Sequence, residues 1–119
     1  MIVVTAEPQH RRVRAVMSGL LTLEEIAGFS LGEEAAARSM NLGSGEFDLL
    51  VEAAGVVQTQ EIVAALGKLV QESPLKPRRV ATVRKGALAT IQSRRIQQGR
   101  QEAAVFATVE EAEAWLAAE

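Results

Sequence analysis

The residues able to do chemistry are few. His10 is the only histidine, Asp48 the only aspartate, and the chain has no cysteine. That excludes disulfides, thiol catalysis, iron–sulfur clusters and thiolate metal sites. A transition-metal site needs several nitrogen or sulfur donors, which one histidine cannot supply. A Ser-His-Asp triad would have to join His10 to Asp48. His10 falls in the turn-like run Glu7-Pro8-Gln9-His10 and reads as a plain surface residue. The carboxylate pairs Glu24-Glu25, Glu33-Glu34 and Glu110-Glu111 occupy expected first turns of helices. Adjacent residues on a helix do not face the same way, and negative charge there suits the helix dipole. Glu52 differs, because it interrupts an apolar strand near the carboxyl end, where α/β proteins place their ligands. It is either an acid–base group or a salt-bridged edge residue, and the second reading is preferred. Gly43-Ser44-Gly45 lacks the third glycine of a phosphate loop and precedes a strand instead of following one. The expectation is a non-enzymatic protein with no metal and no cofactor.

The charge map is uneven. Lys76, Arg78, Arg79, Arg84, Lys85, Arg94, Arg95 and Arg100 lie between Ser73 and Gln101 with no acidic residue among them, while the chain from Glu102 onward is acidic only. One reading is a solvated surface neutralised by Glu110, Glu111 and Glu113. The other is an anion-receptive surface built from Arg84, Lys85, Arg94 and Arg95. Arg84 and Lys85 follow a strand directly, at the end of the sheet where crevices gather. A helix starting near Gly86 points its positive N-terminus into the same region. Arg94 and Arg95 lie further along that helix, so at most one of them is expected to face the same way. Nucleic acid is not expected, since aromatics make up 3% of the chain and the net charge is −2.

These residues need elements to hold them. Ile2-Val3-Val4 and the alternating Arg12–Met17 predict an N-terminal antiparallel hairpin. Thr22-Leu23-Glu24-Glu25 has capping-box spacing, and Leu23, Ile26, Ala27 and Phe29 give the helix an apolar side. Ser30-Leu31-Gly32-Glu33 repeats the box, which predicts a break or restart near Gly28. Asn41–Gly45 is a loop, and Phe47–Ala53 is a strand covered on both faces. Ile62, Leu66, Leu69 and Val70 have helical spacing, ended by Ser73-Pro74. Val80–Val83 is a short strand. Ala87–Gln98 is a helix with Leu88, Ile91 and Ile96, stopped by Gly99. Ala103–Phe106 is the last strand. Thr108-Val109-Glu110-Glu111 opens a final helix with Ala112, Trp115 and Leu116 on its inner side. Strands joined through helices run parallel with right-handed crossovers. The expected fold class is therefore α/β, a five-stranded mixed sheet with four helices.

A chain of 119 residues predicts a single domain, residues 1–119, able to bury about two-thirds of its unfolded surface. No apolar run approaches the ~18 residues of a membrane span. The start, Met1-Ile2-Val3-Val4, does not read as a signal peptide, and a cytoplasmic setting is expected.

The order and spacing of these signals resemble the SpoIIAA-like family, which joins STAS domains and CRAL-TRIO lipid-exchange domains in one fold. The resemblance covers nearly the whole chain. It rests on Gly19-Leu20-Leu21-Thr22-Leu23-Glu24-Glu25, Phe47-Asp48-Leu49-Leu50-Val51, Arg79-Val80-Ala81-Thr82-Val83, and Val105-Phe106 followed by Glu111-Ala112-Glu113-Ala114-Trp115-Leu116. It implies a regulatory or protein-interaction module of STAS type. The alternative it implies is a carrier of a small amphipathic or lipid ligand between helix and sheet. The corresponding partner is a protein or such a ligand, with homodimer formation open. In STAS-type antagonists a Ser or Thr at the start of the helix after the central strand is phosphorylated, within an Asp-Ser-Ser-Gly-like turn. Thr59 takes that place here, but Gln58 and Glu61 replace the family's Asp and Gly. The competing reading of Thr59 is a helix N-cap.

Overall fold

The structure, a computed structural model, describes residues 1–53, 57–97 and 102–118. Its strands are β1 (Ile2–Glu7), β2 (Arg12–Met17), β3 (Asp48–Ala53), β4 (Val80–Val83) and β5 (Ala103–Phe106). Its helices are α1 (Leu23–Ser39), α2 (Gln60–Glu72), α3 (Ala87–Ile96) and α4 (Val109–Ala117). The expected α/β class holds: one five-stranded sheet in the order β1-β2-β3-β4-β5, with β1 antiparallel to β2 and every other pairing parallel. The hairpin turns through a 3-10 segment, Pro8–His10, closed by the Arg11 N–H donating to the Pro8 carbonyl with Arg11 at φ 49°.

Strand alternation sorts the side chains into two cores. On one face Val13, Ala15, Leu49, Val51 and Val80 pack with Phe29 and Ala37 of α1 and with Phe47. Leu21, Ile26, Ile62 and Leu66 continue this layer between α1 and α2. On the other face Leu50 and Ala81 pack against Ala112 and Leu116 of α4. The middle of β3 is buried on both faces, which is why Phe47–Ala53 reads as an almost unbroken apolar run.

Local signals place the helix starts correctly. The Glu25 N–H donates to Thr22 Oγ1 at 3.2 Å and the Thr22 N–H to Glu25 Oε1 at 3.1 Å, the reciprocal pair of a capping box. Thr108 Oγ1 accepts from the Glu111 N–H at 3.2 Å. The expected break near Gly28 does not occur, and α1 runs continuously through Ser30–Glu33. The second box does not start a helix, because Glu33 is buried on the inner side of α1 with Ile26, Phe29 and Ala37. The helix over 87–98 ends at Ile96 with Gln97 as its C-cap; Gln98, Gly99 and Arg100 lie outside the described residues.

Candidate functional site at the outer face of α3

Because β2, β3 and β4 are parallel, their carboxyl ends share one end of the sheet. Three connections leave from there: the segment after Met17, the segment leading to Thr59, and Arg84–Gly86 opening α3. Gln58 ties them together. Its amide accepts from the Leu21 N–H at 2.9 Å and donates to the Gly19 carbonyl at 3.0 Å. Its backbone N–H donates to Gln92 Oε1 at 2.9 Å, and Gln92 Nε2 donates back to its carbonyl at 2.8 Å.

Within this frame, of the three apolar residues read for α3, Ile96 packs against the cluster of Leu21, Ile26, Ile62 and Leu66, while the other two turn outward. Leu88 and Ile91, expected to face the core, are 65% and 51% exposed. The buried side carries Ala89, Ser93 and Gln97, at i, i+4, i+8. These small and polar residues meet polar residues of the β4 segment. Gln97 Nε2 donates to Thr82 Oγ1 at 2.6 Å, and Arg84 Nη1 donates to Ser93 Oγ at 3.1 Å. Arg84, expected at the surface beside Lys85, is only 5% exposed. A residue alternates faces along a strand, and two positions after Thr82 it turns toward the helical layer. Burial pushes the Arg84 pKa down.

Lys85, Arg94 and Arg95 are exposed, and among the described residues none of the three joins an ion pair. Lys76, Arg78 and Arg79 have structural work at helix ends. Lys76 Nζ donates to the Gln71 carbonyl at 2.8 Å. Arg78 reaches the Leu116 carbonyl at 2.8 Å and grips Asp48 with two hydrogen bonds of 3.0 and 2.9 Å, which raise its pKa. Arg79 donates to the Trp115 and Ala118 carbonyls, pairs with Glu102 at 3.2 Å and lies 5.1 Å from the Trp115 ring centroid. Cations so placed satisfy the last carbonyls of a helix. The expected neutralisation by α4 does not take the form anticipated: Glu113 pairs with Arg12 at 3.2 Å instead.

The remaining candidates separate. Thr59 is exposed and caps α2, its Oγ1 accepting from the Ile62 N–H at 3.3 Å. Glu52 pairs with Arg14 at 3.4 Å, as its salt-bridged reading anticipated, though on the central strand and not at an edge. His10 is exposed in the hairpin turn, and Asp48 is held by Arg78. Among the described residues no three His, Cys, Asp or Glu side chains converge as metal ligands.

A cavity of about 90 Å³ lies between the helical layer and the sheet. Phe29, Leu49, Val51, Leu66 and Leu69 make it mostly apolar, with Thr82, Arg84, Ser93 and Gln97 on the wall formed by β4 and α3. Sequence reasoning passed over Ser93 and Gln97, and named Gln58 only as a departure from the family's turn. The spacing of Ala89, Ser93 and Gln97 is the one signal that would have exposed the first two, since it gives α3 a second, less apolar stripe competing with Leu88 and Ile91.

No helix among the described residues is long and apolar enough to cross a membrane. Comparison with protein-family models, curated proteins and solved structures finds no match for this chain.

Proposed function

We propose that the protein is a non-enzymatic docking module of STAS-like type, which works by presenting a surface at the carboxyl end of its sheet. One observation carries the reading: α3 buries polar Ser93, Gln97 and Arg84 and turns aliphatic Leu88 and Ile91 to solvent beside exposed Lys85, Arg94 and Arg95. Apolar burial is the main driving force of folding, so a helix that keeps two of its three large aliphatic side chains outside gives up stability. A partner that covers them recovers it. Leu20 and Val57, also exposed, widen the apolar area within the segments joined by Gln58. The carrier alternative has less support, because about 90 Å³ is well below the roughly 300–1,000 Å³ of a typical ligand pocket.

Native mass spectrometry and size-exclusion chromatography of protein isolated from its own host test the reading. A partner should accompany the wild type and be lost from a Leu88→Ser/Ile91→Ser variant that melts at the same temperature. Identical associations for both proteins, or none for either, would remove the basis for the proposal.

A further inference from the structure

We propose that the surface against which the outer face of α3 docks is an anionic lipid surface. This rests on reading that face as a docking surface and names its partner. The charges come first. Residues 73–101 contain no acidic side chain, so α3 itself carries cations only, with exposed Glu61 at the start of neighbouring α2, although the whole chain has a net charge of −2. Acidic Glu102, Glu110, Glu111 and Glu113 belong to the segment of β5 and α4, and α4 covers the opposite face of the sheet. A weakly acidic protein with a local cation cluster is oriented by a negative surface, with that cluster leading.

The arrangement along the helix comes second. Lys85 precedes α3, Leu88 and Ile91 occupy its first turns, and Arg94 and Arg95 lie in its last. Leu88, Ile91 and Arg95 stand at i, i+3 and i+7, on one side. Cations at both ends of a short aliphatic stretch match a helix lying in the plane of the lipid head groups. The cations meet phosphates while the aliphatic side chains enter the boundary with the acyl chains. Exposed Leu20 and Val57, held to α3 through Gln58, add two further aliphatic contacts at the same end of the molecule.

Chemistry favours lipid over an acidic protein. Protein interfaces take most of their affinity from aromatic and arginine anchors seated in pockets. Every aromatic side chain is committed elsewhere: Phe29 and Phe47 are in the core, and Phe106 packs on Trp115 at 5.6 Å between ring centroids. The cavity beside α3 is lined by Ser93 and Gln97 from its buried side and not by Leu88 or Ile91. Dispersed aliphatic side chains with flexible cations suit a fluid surface that reshapes around them. Attachment of this kind is dominated by charge, and is reversible and salt-sensitive.

Co-sedimentation with vesicles tests this, using pure phosphatidylcholine against phosphatidylcholine mixed with phosphatidylglycerol. The wild type should bind the mixed vesicles at low salt, release as salt rises, and leave the neutral ones unbound. A Lys85→Gln/Arg94→Gln/Arg95→Gln variant should bind about a hundredfold more weakly, since each surface cation contributes roughly a fivefold factor. A Leu88→Ser/Ile91→Ser variant should bind at least ~10-fold more weakly, through loss of apolar burial. Arg38→Gln, an exposed cation on α1, should bind as the wild type does. Circular dichroism establishes that each variant is folded; all the changed side chains are exposed. No binding at low salt, equal binding to both vesicle types, or wild-type binding by the triple variant would overturn the proposal. If vesicles fail while Leu88→Ser/Ile91→Ser still loses a partner in the host, the lipid assignment falls and the docking module stands.

Discussion

Single side chains show how much of the charge on this protein serves to finish helices. Glu25 closes the capping box of α1 and also takes the Met1 ammonium at 2.9 Å. The hydrogen bond from that ammonium, helped by those from Thr22, holds the Glu25 carboxyl below its ordinary value against the opposing effect of desolvation. A carboxylate with a depressed folded-state pKa contributes stability that is present above its unfolded value and lost as pH falls through the folded one. Glu25→Gln should therefore lower the melting temperature at about pH 7 and leave it unchanged at about pH 2, as read by thermal denaturation across a pH series. Asp48 carries a second such role, joining β3 to the C-terminal end of α4 through Arg78. Asp48→Ala should cost about 1–2 kcal/mol in urea unfolding, near the lower end for charged hydrogen bonds because the Arg78 side chain is 42% exposed. Thr59 acts in the same local way, and Thr59→Ala should destabilise by about 1 kcal/mol while Thr59→Ser is tolerated.

Among the elements, α1 and α3 depart most from what their sequences suggest, for opposite reasons. In α1 two glycines and a repeated capping box mimic a break, yet the helix persists because its inner side packs on the sheet. Gly32 passes close to Val4, where an added Cβ would lie 3.4 Å from Val4 Cγ2, whereas a Cβ on Gly28 meets nothing within 4 Å. Gly28→Ala should thus stabilise the protein by roughly 0.5–1 kcal/mol through the unfolded chain alone. Gly86 precedes α3 at φ 96°, so Gly86→Ala should destabilise instead, and the two opposite shifts in melting temperature check the argument together. For α3, the orientation predicts that Leu88→Ser/Ile91→Ser changes stability by no more than about 0.5 kcal/mol, as surface substitutions do, while Ala89→Asp, on the buried side, unfolds the helix.

At the scale of the whole molecule the sheet divides two unequal layers. α1 and α2 cover the larger face, with α3 alongside α2, while α4 alone covers the β3–β5 part of the other. That leaves Val3 and Val16, opposite each other on β1 and β2, exposed beside the ion pairs Arg14–Glu7 and Arg14–Glu52. Leu50 joins the layers: fully buried on the central strand, it packs on Ala112 and Leu116. Leu50→Ala should cost about 3–5 kcal/mol, since α4 cannot follow the sheet into the space left behind, and a cooperative denaturant transition would show it as a lower midpoint at unchanged slope.

The amino-acid sequence by itself determined the order of the elements, the direction of the strands and the starts of α1, α2 and α4. Those features depend on periodicity and on hydrogen bonds between residues three apart, as at Thr22, Thr59 and Thr108. It also settled which chemistry the chain lacks the atoms for, since an absent cysteine and a lone histidine can be read without a fold. Which way the charged and polar side chains turn was decided only by the tertiary structure. Arg84 points inward because Ser93 lies nine positions away on a neighbouring helix, and Arg78 and Arg79 are committed by carbonyls of Leu116 and Trp115. α3 has two competing stripes, and its own sequence ranks the one with Leu88 and Ile91 as the inner side. The opposite outcome follows from the polar wall of Thr82 and Arg84 beneath it, which Ser93 and Gln97 can satisfy with hydrogen bonds and aliphatic side chains cannot.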